Sequence, residues 1–455
     1  MLQRKSRKDL VDEANTLGLS FSCVYHNQIT YIPADALTGS IAVTPPVDQR
    51  MWLPLTSNKL RQLAAQQFNT MFGNESELRD FGYMVEQASR VDSSEPSSLL
   101  IRTTAGLREL KEDGTMYPVS GTFIPNTLPV MLNEDPNDKA LVMATLVEWV
   151  DGEEEATSLL RHCATALAPH WSAVKYVMLI GDGRNGKSLL LSMLRKLFGP
   201  DNCSHVTRQN MSEKGQEVLE LQGKLLNMVF DGTNEYLKDS ANEKSLVAGE
   251  VVGVRPLYRV AQSYVQTNGL FIEGLNKEPK AKDKSSALQA RLVRFWFPNT
   301  YKLDQGFHDT MVSERMVGAL MSLLIDHYVP KKSAAASLAP TKKAIEMQMS
   351  YMLGNSVALQ YILHVAKTDP FGPDSFLGVA LEDIPAGFRS WRLNENDLNV
   401  WAEQDVIQLF RPLFEVERKS RRVASGVVKV RIITAFKEDV QQMLETQEEL
   451  EHVVE

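Results

Sequence analysis

The octapeptide GDGRNGKS at 181–188 constrains the fold most, because it sets three glycines, a lysine and a serine between an apolar strand, KYVMLI, and an apolar helical run, LLLSMLRKLF. This is the G-x-x-x-x-G-K-S spacing of a phosphate-binding loop in its required strand-to-helix context. Gly181, Gly183 and Gly186 permit positive φ and close backbone approach, so N–H groups along Asp182, Arg184, Asn185 and Leu189 can converge on a phosphate at a helix N-terminus. Lys187 is placed to neutralise charge on the β- and γ-phosphates, and the Ser188 hydroxyl to join a Mg²⁺ shell. The competing reading is a glycine-rich turn with no ligand; the strand before and the helix after weigh against it. Kinases, GTPases and motor ATPases share such a loop, so it fixes a ligand class and not a reaction.

The chain has 455 residues, well over the roughly 150 expected of one domain, so more than one core is predicted. At 43% hydrophobic and 23% charged residues, with mean hydropathy −0.22, it is neither fibrous nor wholly disordered. The longest apolar stretch, 317–325, is about half of what a membrane span needs. Residues 1–8 carry four basic side chains with no apolar segment after them, which argues against a secretory signal and for a cytoplasmic chain. Cys23, Cys163 and Cys203 are too scattered for a disulfide framework or a zinc site. A net charge of −8 argues against nucleic-acid binding by the whole surface but leaves room for a basic channel.

Along the chain, 1–134 reads as a mixed N-terminal domain without assignable chemistry, with a helix at 8–17 and a hairpin over 23–32 turning at His26-Asn27. Residues 135–172 read as two helices preceding the core. Between 173 and 330 apolar strands alternate with helical segments, predicting an α/β layer fold with a largely parallel sheet. Its strands are expected in KYVMLI, LLNMVF, YVQTNGLFIEG and LVRFWF, and an apolar helix or helix pair at 311–330. KKSAAASLAP at 331–340 reads as a linker. Residues 341–455 then form a helical C-terminal region, a β-hairpin and an acidic tail.

The strand LLNMVF ends in Asp231, whose carboxylate can hold the Mg²⁺ shell opposite Ser188. The alternative is that Asp231 caps a turn with Gly232. Next come KSLVAGEVVGVRPLY (244–258), the strand leading to Asn276, and SALQARLVRFWFP (286–298).

This order of motifs resembles the superfamily 3 helicases, specifically the poxvirus and phage or plasmid primase-helicase branch, over about residues 135–360. The resemblance implies a P-loop NTPase core related to the AAA+ proteins, an α/β fold with helical and mixed α+β flanking domains. Function is implied likewise: an ATP- and Mg²⁺-dependent DNA helicase of a phage or plasmid replication system, translocating on single-stranded DNA and opening forked duplexes as a homo-oligomeric ring, hexameric in the family. It makes Lys187 and Ser188 the first nucleotide motif, Asp231 the metal-side acid and Asn276 the sensor of the γ-phosphate or attacking water. Arg291 becomes an arginine finger that enters the neighbouring subunit's site, with Arg294 the weaker candidate. Arg255, Tyr258 and Arg259 fall where relatives carry a hairpin that grips DNA, with Lys244 contributing. The bland reading of that hairpin is an ordinary surface ribbon.

One departure stands out. The family's acid beside the metal-side carboxylate, which polarises the lytic water, is here Gly232, and Glu235 in the same loop is the candidate substitute. A GTPase reading fails because Asn234 replaces the glycine needed after Asp231 and Pro279 replaces the guanine-reading acid. A small-molecule kinase gives no reason for Asn276 and Arg291. An ATP-dependent loader or scaffold with weak hydrolysis remains the stronger rival. The region after 393, helical and then a hairpin bearing Arg418, Lys419, Arg421, Arg422, Lys429 and Arg431, resembles a winged-helix module; a solvated basic face is the alternative. No strand shows the alternating paired carboxylates of a primase, so priming is assigned to a separate primase or polymerase.

Overall fold

The computed structural model describes residues 23–26, 29–33, 52–54, 57–67, 78, 81–82, 90–92, 99–104, 106–118, 126–169, 171–212, 216–233, 240–254, 263–279, 286–394, 402–423, 426–437, 440–441 and 444. The chain divides into two compact units, Met1–Ala344 and Ile345–Glu455. Among the described residues no helix is long and apolar enough to cross a membrane.

The first unit opens with two small sheets. Strands β1 (Cys23–His26), β2 (Ile29–Pro33), β3 (Trp52–Pro54) and β4 (Arg90–Asp92) lie in the order β3-β2-β1-β4. The expected hairpin is β1 with β2, paired antiparallel with His26 opposite Ile29; Asn27 of the expected turn lies outside the described residues. The helix expected at 8–17 lies outside the described residues. Strands β5 (Leu99–Thr103), β6 (Gly106–Leu110), β7 (Met116–Pro118) and β8 (Asn126–Met131) form a second sheet, β7-β6-β5-β8.

The helix Pro136–Val150 starts where the pattern predicts. Asp135 caps it by accepting from the Asn137 and Asp138 N–H groups, a contact worth about 1 kcal/mol, and Pro136 fills the first turn. Helix Glu153–Ala164 follows, tightening into a 3₁₀ turn at Thr165–Leu167.

Then come β9 (Tyr176–Ile180), β10 (Cys203–Ser204), β11 (Leu226–Val229), β12 (Val252–Val254), β13 (Ser263–Val265), β14 (Leu270–Leu275) and β15 (Leu292–Trp296). Five of these build one parallel sheet, β10-β11-β14-β9-β15, while β12 and β13 pair as a separate antiparallel ribbon. The mixed α/β class with a parallel sheet agrees with the alternation in the sequence.

YVQTNGLFIEG is not one strand, contrary to the sequence reading. An irregular stretch, 266–269, parts two strands: the Gly269 N–H donates to Thr267 Oγ1 at 3.1 Å and the Asn268 amide donates to the Pro169 carbonyl at 3.1 Å. A side chain at 269 would stand 2.6 Å from the Lys224 carbonyl, so only glycine lets β14 enter the sheet there.

Register divides the sheet into unlike faces. Met228, Ile272, Val177 and Val293 align across one face and join a large apolar core with Trp149, Leu160, Leu194 and Leu320. One residue on, Glu273, Met178 and Arg294 align across the other. The apolar run at 311–330 proves to be two helices, Gln305–Met311 and Glu314–Asp326, parted at Ser313, whose Oγ caps the second by accepting from the Met316 N–H. The stretch read as a linker is a 3₁₀ turn, Lys331–Ser333, and a short helix, Ala334–Ser337; its run of alanines favours helix over coil.

The second unit packs helices Val357–Thr368, Ile384–Asn394 and Glu403–Phe410 with a long antiparallel ribbon, β16 (Phe414–Val423) and β17 (Gly426–Phe436). Its core is aromatic: Phe388 and Phe410 are buried against Tyr361, and Phe414 and Phe436 are buried against each other. The predicted C-terminal hairpin is this ribbon.

Candidate nucleotide site

β9 is wholly buried, and the chain leaves it at Gly181, whose N–H donates to the Leu275 carbonyl at 3.1 Å. The loop therefore starts against the end of β14, and Asn276 emerges exposed directly beside it. Gly183 has φ 107° and Gly186 φ 96°, and Arg184 also lies in the left-handed region at φ 50°. At Gly186 a side chain would also meet Trp149 at 2.6 Å, so conformation and crowding both demand glycine. Helix Lys187–Phe198 follows immediately. A second line of bonds pins the loop: Asn185 Nδ2 donates to the Phe297 carbonyl at 3.2 Å and the Tyr301 N–H to the Arg184 carbonyl at 2.8 Å.

Lys187 is 5% exposed, and its Nζ donates to the Gly181 carbonyl at 2.5 Å and to Asn185 Oδ1 at 3.0 Å. Its ammonium is thus held across the loop by acceptors it can exchange for phosphate oxygens. Burial lowers its affinity for a proton, and the carboxylates of Asp182 and Asp231 oppose that shift. Asp231 follows β11, which pairs with β14 beside the strand leading into the loop, so it lies at the same edge of the sheet. Ser188 and Asp231 are both exposed, and each offers oxygen, the donor type that small hard cations take.

Lys187, Ser188, Asp231 and Asn276 accordingly gather at the carboxyl edge of the parallel sheet, where open α/β folds bind ligands. Arg291 does not join them. It precedes β15, and its carbonyl accepts from the Tyr176 N–H at 2.7 Å at the amino edge, roughly 16 Å of strand away. It is half-buried, and its charge adds to burial in lowering the proton affinity of Lys175. Arg294 is excluded as a finger: it is 2% exposed and forms a two-pronged pair with Glu278, both bonds 2.7 Å, plus a bond to Gln289. Lys244 lies half-buried on the helix Ala241–Val247. Glu235, Arg255, Tyr258 and Arg259 lie outside the described residues; β12 and β13, paired through Val254 and Ser263, flank the last three.

Sequence reasoning missed a polar cluster on the sheet's second face. Arg208 and Glu243 form a pair at 2.8 Å, 2% and 1% exposed, from two short helices, Arg208–Ser212 and Ala241–Val247. The Tyr176 hydroxyl donates to Glu273 Oε2 at 3.1 Å, and Arg208 lies over the Tyr176 ring. The signal was a charged residue inside the apolar run LFIEGL.

Residues 179–291, from the strand before the loop to Arg291, match a protein family described as of unknown function, DUF5906. Among solved structures, the chain is similar to the A form apo structure of the NrS-1 C-terminal region at 13% identity, covering 95% of this chain and all of that one, with a TM-score of 0.49. Two further apo structures of that region match over the same shares, at 13% and 14% identity with TM-scores of 0.46 and 0.45.

Proposed function

We propose that this chain is an ATP-driven DNA helicase with a P-loop NTPase core, working as a ring of identical subunits on single-stranded DNA. What carries the reading is that the neighbouring parallel strands β11, β14 and β9 lead to Asp231, Asn276 and the loop with Lys187 at one edge of the sheet. In this reading Lys187 leaves its two loop acceptors to bind the β- and γ-phosphates, and the loop N–H groups take the remaining oxygens. Ser188 and Asp231 would hold Mg²⁺, which when bound shares the phosphate charge. Asn276 orients the γ-phosphate or the attacking water. Arg291, remote from its own loop, serves the neighbouring subunit's site, so turnover requires assembly. The segment joining β12 to β13, with Arg255, Tyr258 and Arg259, grips the strand, and Lys244 adds charge.

A second reading, a loader that binds ATP with little hydrolysis, is favoured by the single fact of Gly232. ATP turnover measured with and without single-stranded DNA separates the two: a helicase is stimulated by DNA, and a loader binds nucleotide and hardly turns over. Lys187→Ala is expected to abolish nucleotide binding. Arg291→Ala is expected to bind normally yet lose turnover by about 10³-fold, the scale of an arginine finger, and to poison wild-type subunits on mixing. Normal turnover in the Arg291 variant would remove the shared-site mechanism.

A further inference from the structure

Gly232 follows Asp231 beyond the end of β11, and its N–H donates to the Gly274 carbonyl of β14 at 2.8 Å. A Cβ at 232 would stand 2.6 Å from both Glu273 Cδ and Leu275 Cδ2 and would overlap Glu273 Oε1. The room that a side chain at 232 needs is therefore filled by a carboxylate from the next strand. Glu273 is 2% exposed and is oriented by its second oxygen, Oε2, which accepts from the Tyr176 hydroxyl at 3.1 Å. Its first oxygen is thereby turned toward the end of β11, one residue from Asp231.

We infer that Glu273 is the proton acceptor for the lytic water, delivered from β14 into the space that a carboxylate at 232 would occupy. The inference rests on the proposed ATPase reading and removes the observation that favoured a loader. In the step, the water oxygen bonds to the γ-phosphorus as that phosphorus separates from the β–γ bridging oxygen. The water proton passes to Glu273 and reaches solvent as ADP and phosphate leave. Burial pushes Glu273 up to about 7, with Glu243 and Glu278 adding to the rise and Arg208 and the Tyr176 hydroxyl opposing it. A carboxyl group so poised exchanges a proton near neutrality, as a general base must. The charged and titratable groups on its side include Tyr176 on β9, Arg208 and Glu243 on the two short helices, Glu278 beyond β14, and Arg294 of β15, which shares the same sheet face and is paired with Glu278.

Glu273→Gln keeps the acceptor for Tyr176 and removes the base. ATP affinity should stay within threefold while DNA-stimulated turnover falls at least 100-fold; turnover above a third of wild type would overturn the assignment. A second variant guards against a folding defect. Glu273→Ala combined with Gly232→Glu removes the Glu273 carboxylate, leaves the Leu275 methyl to shift aside and returns a carboxylate from the end of β11, and it should recover at least a tenth of wild-type turnover. If Glu273→Gln loses nucleotide binding as well, the double variant decides: recovery upholds the base, and no recovery rejects it. A wild-type chain that binds ATP and never hydrolyses it, with or without DNA, defeats the motor reading and this inference together. Brisk wild-type turnover with an unimpaired Glu273→Gln defeats the inference alone.

Discussion

His162 is fully buried, with Nδ1 2.8 Å from the Ser158 carbonyl and its ring edge-on to Phe295 at 5.7 Å. Nε2 has no partner among the described residues. Burial lowers its pKa to about 4, and the charges of Lys175 and Arg161 add to the effect. The unfolded imidazole takes a proton below about 6.5, whereas the folded one resists down to about 4, so the unfolded state binds more protons in between. Stability from this residue is present above about pH 6.5 and is lost as pH falls toward 4, by about 3 kcal/mol in full. His162→Leu should flatten that limb in urea midpoints measured from pH 7 to 4; an unchanged slope would assign the acid sensitivity elsewhere. Glycine roles were partly legible at this scale: Gly183 and Gly186 take the positive φ that GDGRNGKS suggests, whereas Gly181 answers only to crowding by Asn185 and Phe297, and Arg184 takes a left-handed conformation that the motif does not declare. The histidine was not, since only packing turns it from a possible ligand into a neutral core residue.

The elements around the sheet differ in how they are held. Helices such as Lys187–Phe198 and Glu314–Asp326 bury apolar faces, whereas the short helices Arg208–Ser212 and Ala241–Val247 are joined through the charge pair Arg208–Glu243. Glu243 Oε2 finds no partner among the described residues, so its desolvation is only partly offset. Arg208→Met should cost about 3–5 kcal/mol by stranding the glutamate, while Arg208→Met with Glu243→Leu should return to within about 1–2 kcal/mol of wild type. Chemical denaturation of wild type, Arg208→Met, Glu243→Leu and the double variant closes that cycle, and additive losses would deny the coupling. The same scale shows where sequence reading stopped. Strand-helix alternation gave the parallel sheet because each strand is a continuous apolar run. It merged β13 with β14 by passing over the breaker dipeptide Asn268-Gly269, where the two strands part. Glu273 could not be connected to Gly232 because strand order β11-β14-β9, not sequence distance, brings them together.

For the whole molecule, the net charge of −8 makes general adhesion to DNA unfavourable, so binding on the proposed function depends on local concentrations of positive charge. One such concentration lies in the second unit. β16 and β17 present Arg418, Arg422 and Lys429 to solvent, and in this register Ser420 faces Lys429 while Arg418 faces Arg431, which places these cations on one side of the ribbon. Neighbouring cations are already committed: Arg421 pairs with Asp383 at 2.5 Å and Arg431 with Glu382 at 2.7 Å. Arg418, Arg422 and Lys429 make no ion pair among the described residues, leaving three charges available for phosphates on a stiff antiparallel scaffold. Phosphate contacts release counterions, so each lost contact reduces the slope of log affinity against log salt by about 0.9. Replacing all three by alanine should therefore lower the slope by about 2–3 for a forked duplex. The loss should be similar for any base sequence, because the ribbon offers charge and no groove-reading pattern. Anisotropy titrations at several salt concentrations, with forks of two unrelated sequences, measure both quantities. An unaltered slope would make the ribbon a solvated face.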